Sequence, residues 1–257
     1  MLILKVGGSA ITDKKRFEKA DKKAMGNIAI AIASSLAEKM KDGKALGLVL
    51  VHGAGSFGHH NVLKYKINDG VKTRAQWVGY RKTRESCRRL SVMFVKSLRG
   101  KGVPAVRIDL AGVVEQKNKR IARFDTKLVA SLVKEGKVPV LHGDMVLDST
   151  LGASVCSGDQ ITSYLGKKAQ RIVMASRVEG VLDSKGNVIA KITKANKKWA
   201  LSHVKGADTK DVTGGMRGKL LEIFKSKKPT YVVNATKPDR ITAVLLGKKA
   251  VCTEIRV

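Results

Sequence analysis

The chain has 257 residues, 43% hydrophobic and 4% aromatic, enough to bury a core in one domain or two closely joined lobes. No apolar run approaches the ~20 residues of a membrane helix, and the opening "MLILKVGGSA" puts its lysine behind the apolar residues, the reverse of a secretory leader, so a cytoplasmic protein is expected. Lysines and arginines number 51 against 21 acids, a formal net charge of +30 that attracts polyanions at long range.

In chain order, short β-branched runs alternate with longer helical patterns. Strand 2–6 ("LILKV") precedes a helix at 21–41; strand 46–51 ("LGLVLV") precedes one at 76–99; strand 103–109 ("VPAVRID") precedes one at 125–135. Strand 137–143 is followed by a helix at 159–168, with Asp159 as its N-cap or first-turn acid. Strand 171–176 leads into turn-rich residues 177–213, expected to hold a hairpin and a mobile loop. A helix at 215–227, strand 230–235, a helix at 238–246 and strand 251–257 complete the chain. Gly43, Gly100, Gly102 and Gly136 fall where helices should end. The alternation predicts an α/β fold, a mainly parallel sheet with helices on both faces, whose ligand crevice lies beyond the carboxyl ends of the strands.

The basic residues run the whole length of the chain, with no interleaved aromatics and no RNP, KH or zinc-finger pattern. Weak, nonspecific, salt-sensitive adhesion to nucleic acid is expected, not a dedicated groove. Cys87, Cys156 and Cys252 form no CxxC pair, and the five histidines show no metal-ligand spacing.

Four segments can carry chemistry. In "KVGGSAITDKK", Lys5 ends a strand and Gly7, Gly8 and Ser9 follow, so backbone amides can converge on phosphate oxygens; Lys14 is close enough to fold back over them. The spacing is not that of a P-loop, and a plain strand-to-helix turn fits equally. "VHGAGSFGHH" (51–60) repeats the pattern, with Ala54, Gly55 and His59 in the turn and His52 and His60 read as bystanders. In "HGDMVLDS" and "CSGDQ", Asp144 and Asp159 are either caps and turn formers or carboxylates that fix nearby lysines. In "DVTGGMRGK" (211–219), Lys219 stands in the first turns of a helix, where the dipole favours anions, so a bound phosphate explains it better than helix stability does.

Taken in order, KxGGSxIT, HGAGSFGH, GD, SGDQ and DVTGGMxGK resemble the amino acid kinase superfamily, and within it the isopentenyl phosphate kinases. The resemblance implies an open three-layer αβα sandwich with a phosphoryl-acceptor lobe at 1–150 and an ATP lobe at 151–257, a homodimer, and transfer of the ATP γ-phosphoryl group to isopentenyl phosphate with Mg²⁺. It assigns Lys5, Gly7, Gly8, Ser9 and Lys14 to the transferring phosphate, and Ala54, Gly55, His59 and Gly158 to the acceptor phosphate. It assigns Asp159 to orienting Lys5 and Lys219, and Ser176, Gly180, Gly214 and Lys219 to the nucleotide. One departure is "SRVEGVLD" (176–183), with Arg177 and Leu182 where the family has an acid and an aromatic. For the hydrocarbon tail, the helix around 78–98 offers Val78, Leu90, Met93 and Phe94 as channel wall or as ordinary core. A fosfomycin-type phosphonate kinase is the alternative within the superfamily, and a basic nucleic-acid-binding protein retaining the fold is the alternative outside it.

Overall fold

The computed structural model describes residues 1–13, 16–204 and 215–257. β1 (Leu2–Val6) runs into the single turn α1 (Gly8–Ile11). α2 (Lys22–Lys41) is capped by Asp21, whose carboxylate accepts from the Ala24 amide at 2.9 Å. After β2 (Leu48–His52), a 3₁₀ turn at Gly55–Phe57 leads to α3 (His59–Lys64) and the long α4 (Arg74–Arg99), which opens on a capping box between Thr73 and Gln76. β3 (Ala105–Arg107) is followed by β4 (Val114–Lys117), β5 (Arg120–Phe124) and α5 (Lys127–Lys134). Next come β6 (Val138–His142), β7 (Asp144–Asp148), β8 (Gly152–Cys156), α6 (Gly158–Gly166) and β9 (Arg171–Ser176). The remainder comprises β10 (Lys191–Thr193), α7 (Lys197–His203), α8 (Gly215–Ser226), β11 (Thr230–Asn234), α9 (Pro238–Leu246) and β12 (Thr253–Arg256).

Eight strands form one sheet in the order β10–β12–β11–β9–β1–β2–β6–β3, parallel except where β11 meets β12. Helices cover both faces, as the alternation in the sequence required. On one face Leu4 and Val6 pack with Ile28 and Ile32 of α2, Phe94 of α4 and Ile241 of α9. On the other, Ile3 packs with Leu132 of α5, Ile161 of α6 and Ile223 of α8. Side chains alternate along a strand, so Lys5 shares the face of Ile3 and points towards α6 and α8. That parity positions the site.

The seven strands and six helices read from the sequence are all present, with ends shifted by a few residues. Beyond them the fold holds the short helices α1, α3 and α7, the edge strand β10 of the main sheet, and a second sheet, β5–β4–β7–β8. In β4 charge alternates with buried residues, Glu115 and Lys117 beside Val114 and Gln116, β5 exposes Arg120 and Arg123, and β7 and β8 carry polar Asp144, Asp148 and Ser154 inward, so no continuous apolar run marks them. The expected hairpin is an antiparallel bridge between Leu182 and Val188; the expected mobile loop falls largely on 205–214, outside the described residues. Leu90 and Phe94 are fully buried against the main sheet, so of the two roles open to them they take core, not channel wall.

The two glycine turns meet backbone to backbone. A Cβ on Gly8 would stand 2.3 Å from the Gly55 nitrogen, and one on Gly53 would stand 2.6 Å from the Gly8 nitrogen. Gly55 itself sits at φ +53°, where a Cβ would meet Thr12 Oγ1 at 2.2 Å. Gly26, in the second turn of α2, has nothing within 4 Å of such an atom. Denaturant unfolding is therefore expected to separate the two glycines. Gly8→Ala should cost about 1–3 kcal/mol through forced displacement of the turns, and Gly26→Ala should gain roughly 0.5–1 kcal/mol from helix propensity.

Candidate active site

Lys5 is 4% exposed at the end of β1, and its Nζ lies 2.8 Å from Asp159 Oδ1. Lys219, from α8, reaches the other oxygen of the same carboxylate at 3.5 Å. Asp159 is held in place by the start of α6, where Ser157 caps the helix through the Gln160 amide at 3.1 Å. Burial pushes the Asp159 carboxyl up, but the charges and hydrogen bonds of Lys5 and Lys219 outweigh it and keep the group below the usual carboxylate value. Asp159 carries one negative charge and can neutralise at most one of the two ammonium groups it pairs. Lys5, Ser176 and Lys219 line one crevice with Met174, Met216 and Ile223.

The glycine turns form the adjoining wall. The Gly53 amide donates to the Val6 carbonyl at 2.9 Å, and the Ser56 amide donates to Thr12 Oγ1 at 3.2 Å, while that hydroxyl donates to the Gly8 carbonyl at 2.9 Å. Thr12 thus ties the first turn to the second. It lies within KVGGSAIT, and its placement four residues after Gly8 is the sequence signal that marks it. Gly158, first in α6, packs where a Cβ would stand 3.2 Å from the His52 carbonyl, so the helix of Asp159 closes directly onto the second turn. Ala54 and His59 are half-buried there, His59 as the first residue of α3.

The assigned residues do not all have the same surroundings. The Gly7 amide donates to the Ala175 carbonyl at 2.8 Å and so continues the sheet, whereas Gly8 and Ser9 open α1. Gly180 packs against Thr253 Oγ1 and Val188, contacts at 2.6 and 2.8 Å from where its Cβ would be, a structural reason for glycine at that position. Ser176 Oγ is buried with no hydrogen-bond partner among the described residues. Lys14 and Gly214 lie outside the described residues. Asp144 does not join the crevice lysines: its Oδ2 accepts from Arg84 Nε at 3.3 Å, and Arg84 also grips Asp109 at 2.6 Å. Arg177 pairs with Asp21 at 3.4 Å.

His52 and His142 end the neighbouring strands β2 and β6 beneath the second turn and stack with ring centroids 5.5 Å apart. Burial drives the pKa of His52 down to about 3 and that of His142 down to about 4, so both are neutral in the fold. His60 is exposed and packs on Phe17 at 4.4 Å.

These groups set a pH dependence of stability. Below about pH 6.5 the unfolded chain protonates both histidines while the native state does not, which lowers stability as pH falls. Burial raises Asp144 to about 7, so its earlier protonation in the native state opposes one of the two. The expected net loss is about 1.4 kcal/mol per pH unit between roughly pH 6 and 5, read from urea unfolding at several pH values. His142→Gln should leave that slope near zero; an unchanged slope would contradict the assignment.

Three comparisons place this geometry among known proteins. The profile of the amino acid kinase family matches residues 1–234. An isopentenyl phosphate kinase of Methanocaldococcus jannaschii is 36% identical over 253 residues, covering 96% of each chain, and one of Methanothermobacter thermautotrophicus is 32% identical over 270 residues, covering 99% of this chain and 98% of the relative. A solved isopentenyl phosphate kinase structure superposes with a TM-score of 0.84 at 29% identity over 99% of both chains. From the family profile and these full-length likenesses, the chain belongs to the amino acid kinase family, among the isopentenyl phosphate kinases.

Proposed function

We propose that the protein transfers the γ-phosphoryl group of ATP to the phosphate of isopentenyl phosphate, giving isopentenyl diphosphate. The observation that carries this reading is the Asp159 carboxylate shared by Lys5 and Lys219 beside two glycine turns, in a chain whose full-length relatives bear that activity in their names. A phosphomonoester has a second pKa near ~6 and is largely dianionic at neutral pH. It is already a nucleophile, so no general base is required. The obstacle is repulsion between two phosphates, and lysines and backbone amides lower it by positioning and charge stabilisation.

In this reading Lys5 and Lys219 hold the transferring group and the nucleotide phosphates, with Asp159 fixing both. Gly8, Ser9 and Lys14 cradle the same oxygens. Ala54, Gly55, His59 and Gly158 receive the acceptor phosphate, where His59 donates a hydrogen bond and moves no proton. Gly7 and Gly180 serve the shape of the two sides, and Ser176 and Gly214 the nucleotide. Mg²⁺ is proposed to arrive with ATP: among the described residues no group of three His, Cys, Asp or Glu side chains could hold a metal ion, and Mg²⁺ in kinases is bound largely by phosphate oxygens and water. Bound there, it would neutralise phosphate charge.

The division into an acceptor lobe at 1–150 and an ATP lobe at 151–257, and a homodimer, belong to the same reading and rest on family membership. No helix among the described residues is long and apolar enough to cross a membrane. Nucleic acid enters only as weak electrostatic adhesion from the +30 charge.

Coupled ADP release with isopentenyl phosphate, fosfomycin and acetylglutamate in parallel tests the assignment, and turnover confined to isopentenyl phosphate is expected. His59→Ala should raise the acceptor KM and lower kcat about 100-fold or more, with His59→Gln retaining part of the activity. Lys219→Ala should lower kcat about 100- to 1000-fold with the fold intact, the scale for loss of one charge-stabilising donor. Wild-type kcat/KM in either alanine variant would refute the role given to that residue.

A further inference from the structure

The β4–β5 hairpin touches both helices that carry the paired charges. Asn118 and Lys119 stand at φ 49° and 63°, a conformation side chains disfavour. Asp148 holds them there, Oδ1 accepting from the Asn118 amide at 3.0 Å and Oδ2 from the Lys119 amide at 2.7 Å. The same carboxylate accepts from Ser154 Oγ at 2.6 Å, so the turn is fastened to the β7–β8 hairpin. Fixed in this way, the Lys119 carbonyl accepts from Gln160 Nε2 at 3.0 Å, and Gln160 Oε1 accepts from Gln116 at 2.7 Å. Gln160 is the residue after Asp159 on α6.

One residue beyond the turn, Arg120 forms a two-point pair with Glu222 of α8, Nη1 to Oε1 at 2.7 Å and Nη2 to Oε2 at 3.1 Å. Glu222 lies three residues after Lys219, and its side chain is 14% exposed. Lys225 also donates to Glu222, at 2.9 Å, but from the same helix, so it cannot fix α8 against anything else. A bidentate guanidinium sets orientation as well as distance.

We propose that Arg120 is a positioning residue of the phosphoryl transfer: from a turn whose carbonyl fixes α6 at Gln160, its guanidinium fixes α8 at Glu222 and so sets where Lys219 meets Asp159. The inference rests on the kinase reading above. Lys219 is the looser of the two lysines, 3.5 Å from the carboxylate against 2.8 Å for Lys5, and its reach depends on the placement of its helix. Misplacement by about 1 Å can cost on the order of 100-fold in rate.

The test is a double-mutant cycle on the full chain with saturating ATP and isopentenyl phosphate. Arg120→Ala and Glu222→Gln should each lower kcat roughly tenfold, with the KM for isopentenyl phosphate within about twofold of wild type. The double variant should be no worse than either single, because both remove one shared interaction. Arg123→Ala, on the same strand and paired only within its own hairpin to Glu115 at 3.5 Å among the described residues, should keep wild-type kcat. Unchanged kcat in Arg120→Ala, losses that multiply in the double variant, or an effect confined to the acceptor KM would overturn the proposal. Should the wild-type chain phosphorylate none of the acceptors, the assigned reaction falls and the brace is read independently: amide hydrogen exchange in α8 should be faster in Arg120→Ala, and equal exchange would overturn it.

Discussion

One carboxylate holds together ammonium groups that enter from widely separated parts of the chain. Lys5 comes from the central strand, Lys219 from a helix more than 200 residues later, and Asp159 lies between them at the head of α6. Removing three charges from water costs several kcal/mol per ion unless they are well paired. Within this trio two positive charges meet one negative. In the function proposed above, a phosphoryl group entering the crevice would bring further negative charge to the two lysines. On that reading the lysines raise kcat to the extent that they hold the transferring group more tightly in the transition state than in the bound substrate.

Backbone contact is the second constraint. The turns after β1 and β2 approach so closely that Gly8 and Gly53 each lie within what would be Cβ distance of the other turn, and Thr12 bridges them with its hydroxyl. Parallel pairing of β1 with β2, Val6 opposite His52, puts both turns at the same end of the sheet. The neutral histidine stack below them, the Asp148 hub at the side and the Arg120–Glu222 pair across to α8 surround the charged centre with fixed neighbours. A reaction that depends on positioning needs such support.

Much of this was legible in the sequence, for identifiable reasons. The inner strands β1, β2 and β6 are buried on both faces and therefore read as apolar runs, with Lys5 standing out as a charge at the end of one, whereas the edge strand β10, with an exposed lysine in three residues, carries no such signal. Lys219 stood out against the helix dipole, and Asp159 as an acid opening a helix. The second sheet is hidden because β4 and β5 interleave charge with apolar residues and β7 and β8 bury polar side chains, Asp144, Asp148 and Ser154. Asp144 and Asp159 looked alike locally, each following a glycine; only the fold reveals that one faces Lys5 and Lys219 and the other Arg84, 60 residues away in sequence. Leu90 and Phe94 could not be divided between channel and core by periodicity, because a helix facing a sheet and a helix lining a cavity show the same apolar spacing. The roles of Arg120 and Gln160 depend on long-range pairing that spacing does not encode.

The central claim, that Asp159 organises the two lysines around a shared phosphoryl group, is tested most directly by Asp159→Asn, which preserves shape and removes the charge. With the fold verified by circular dichroism, steady-state kinetics on isopentenyl phosphate should give a kcat at least about 100-fold below wild type. A folded Asp159→Asn protein turning over at the wild-type rate would contradict the account.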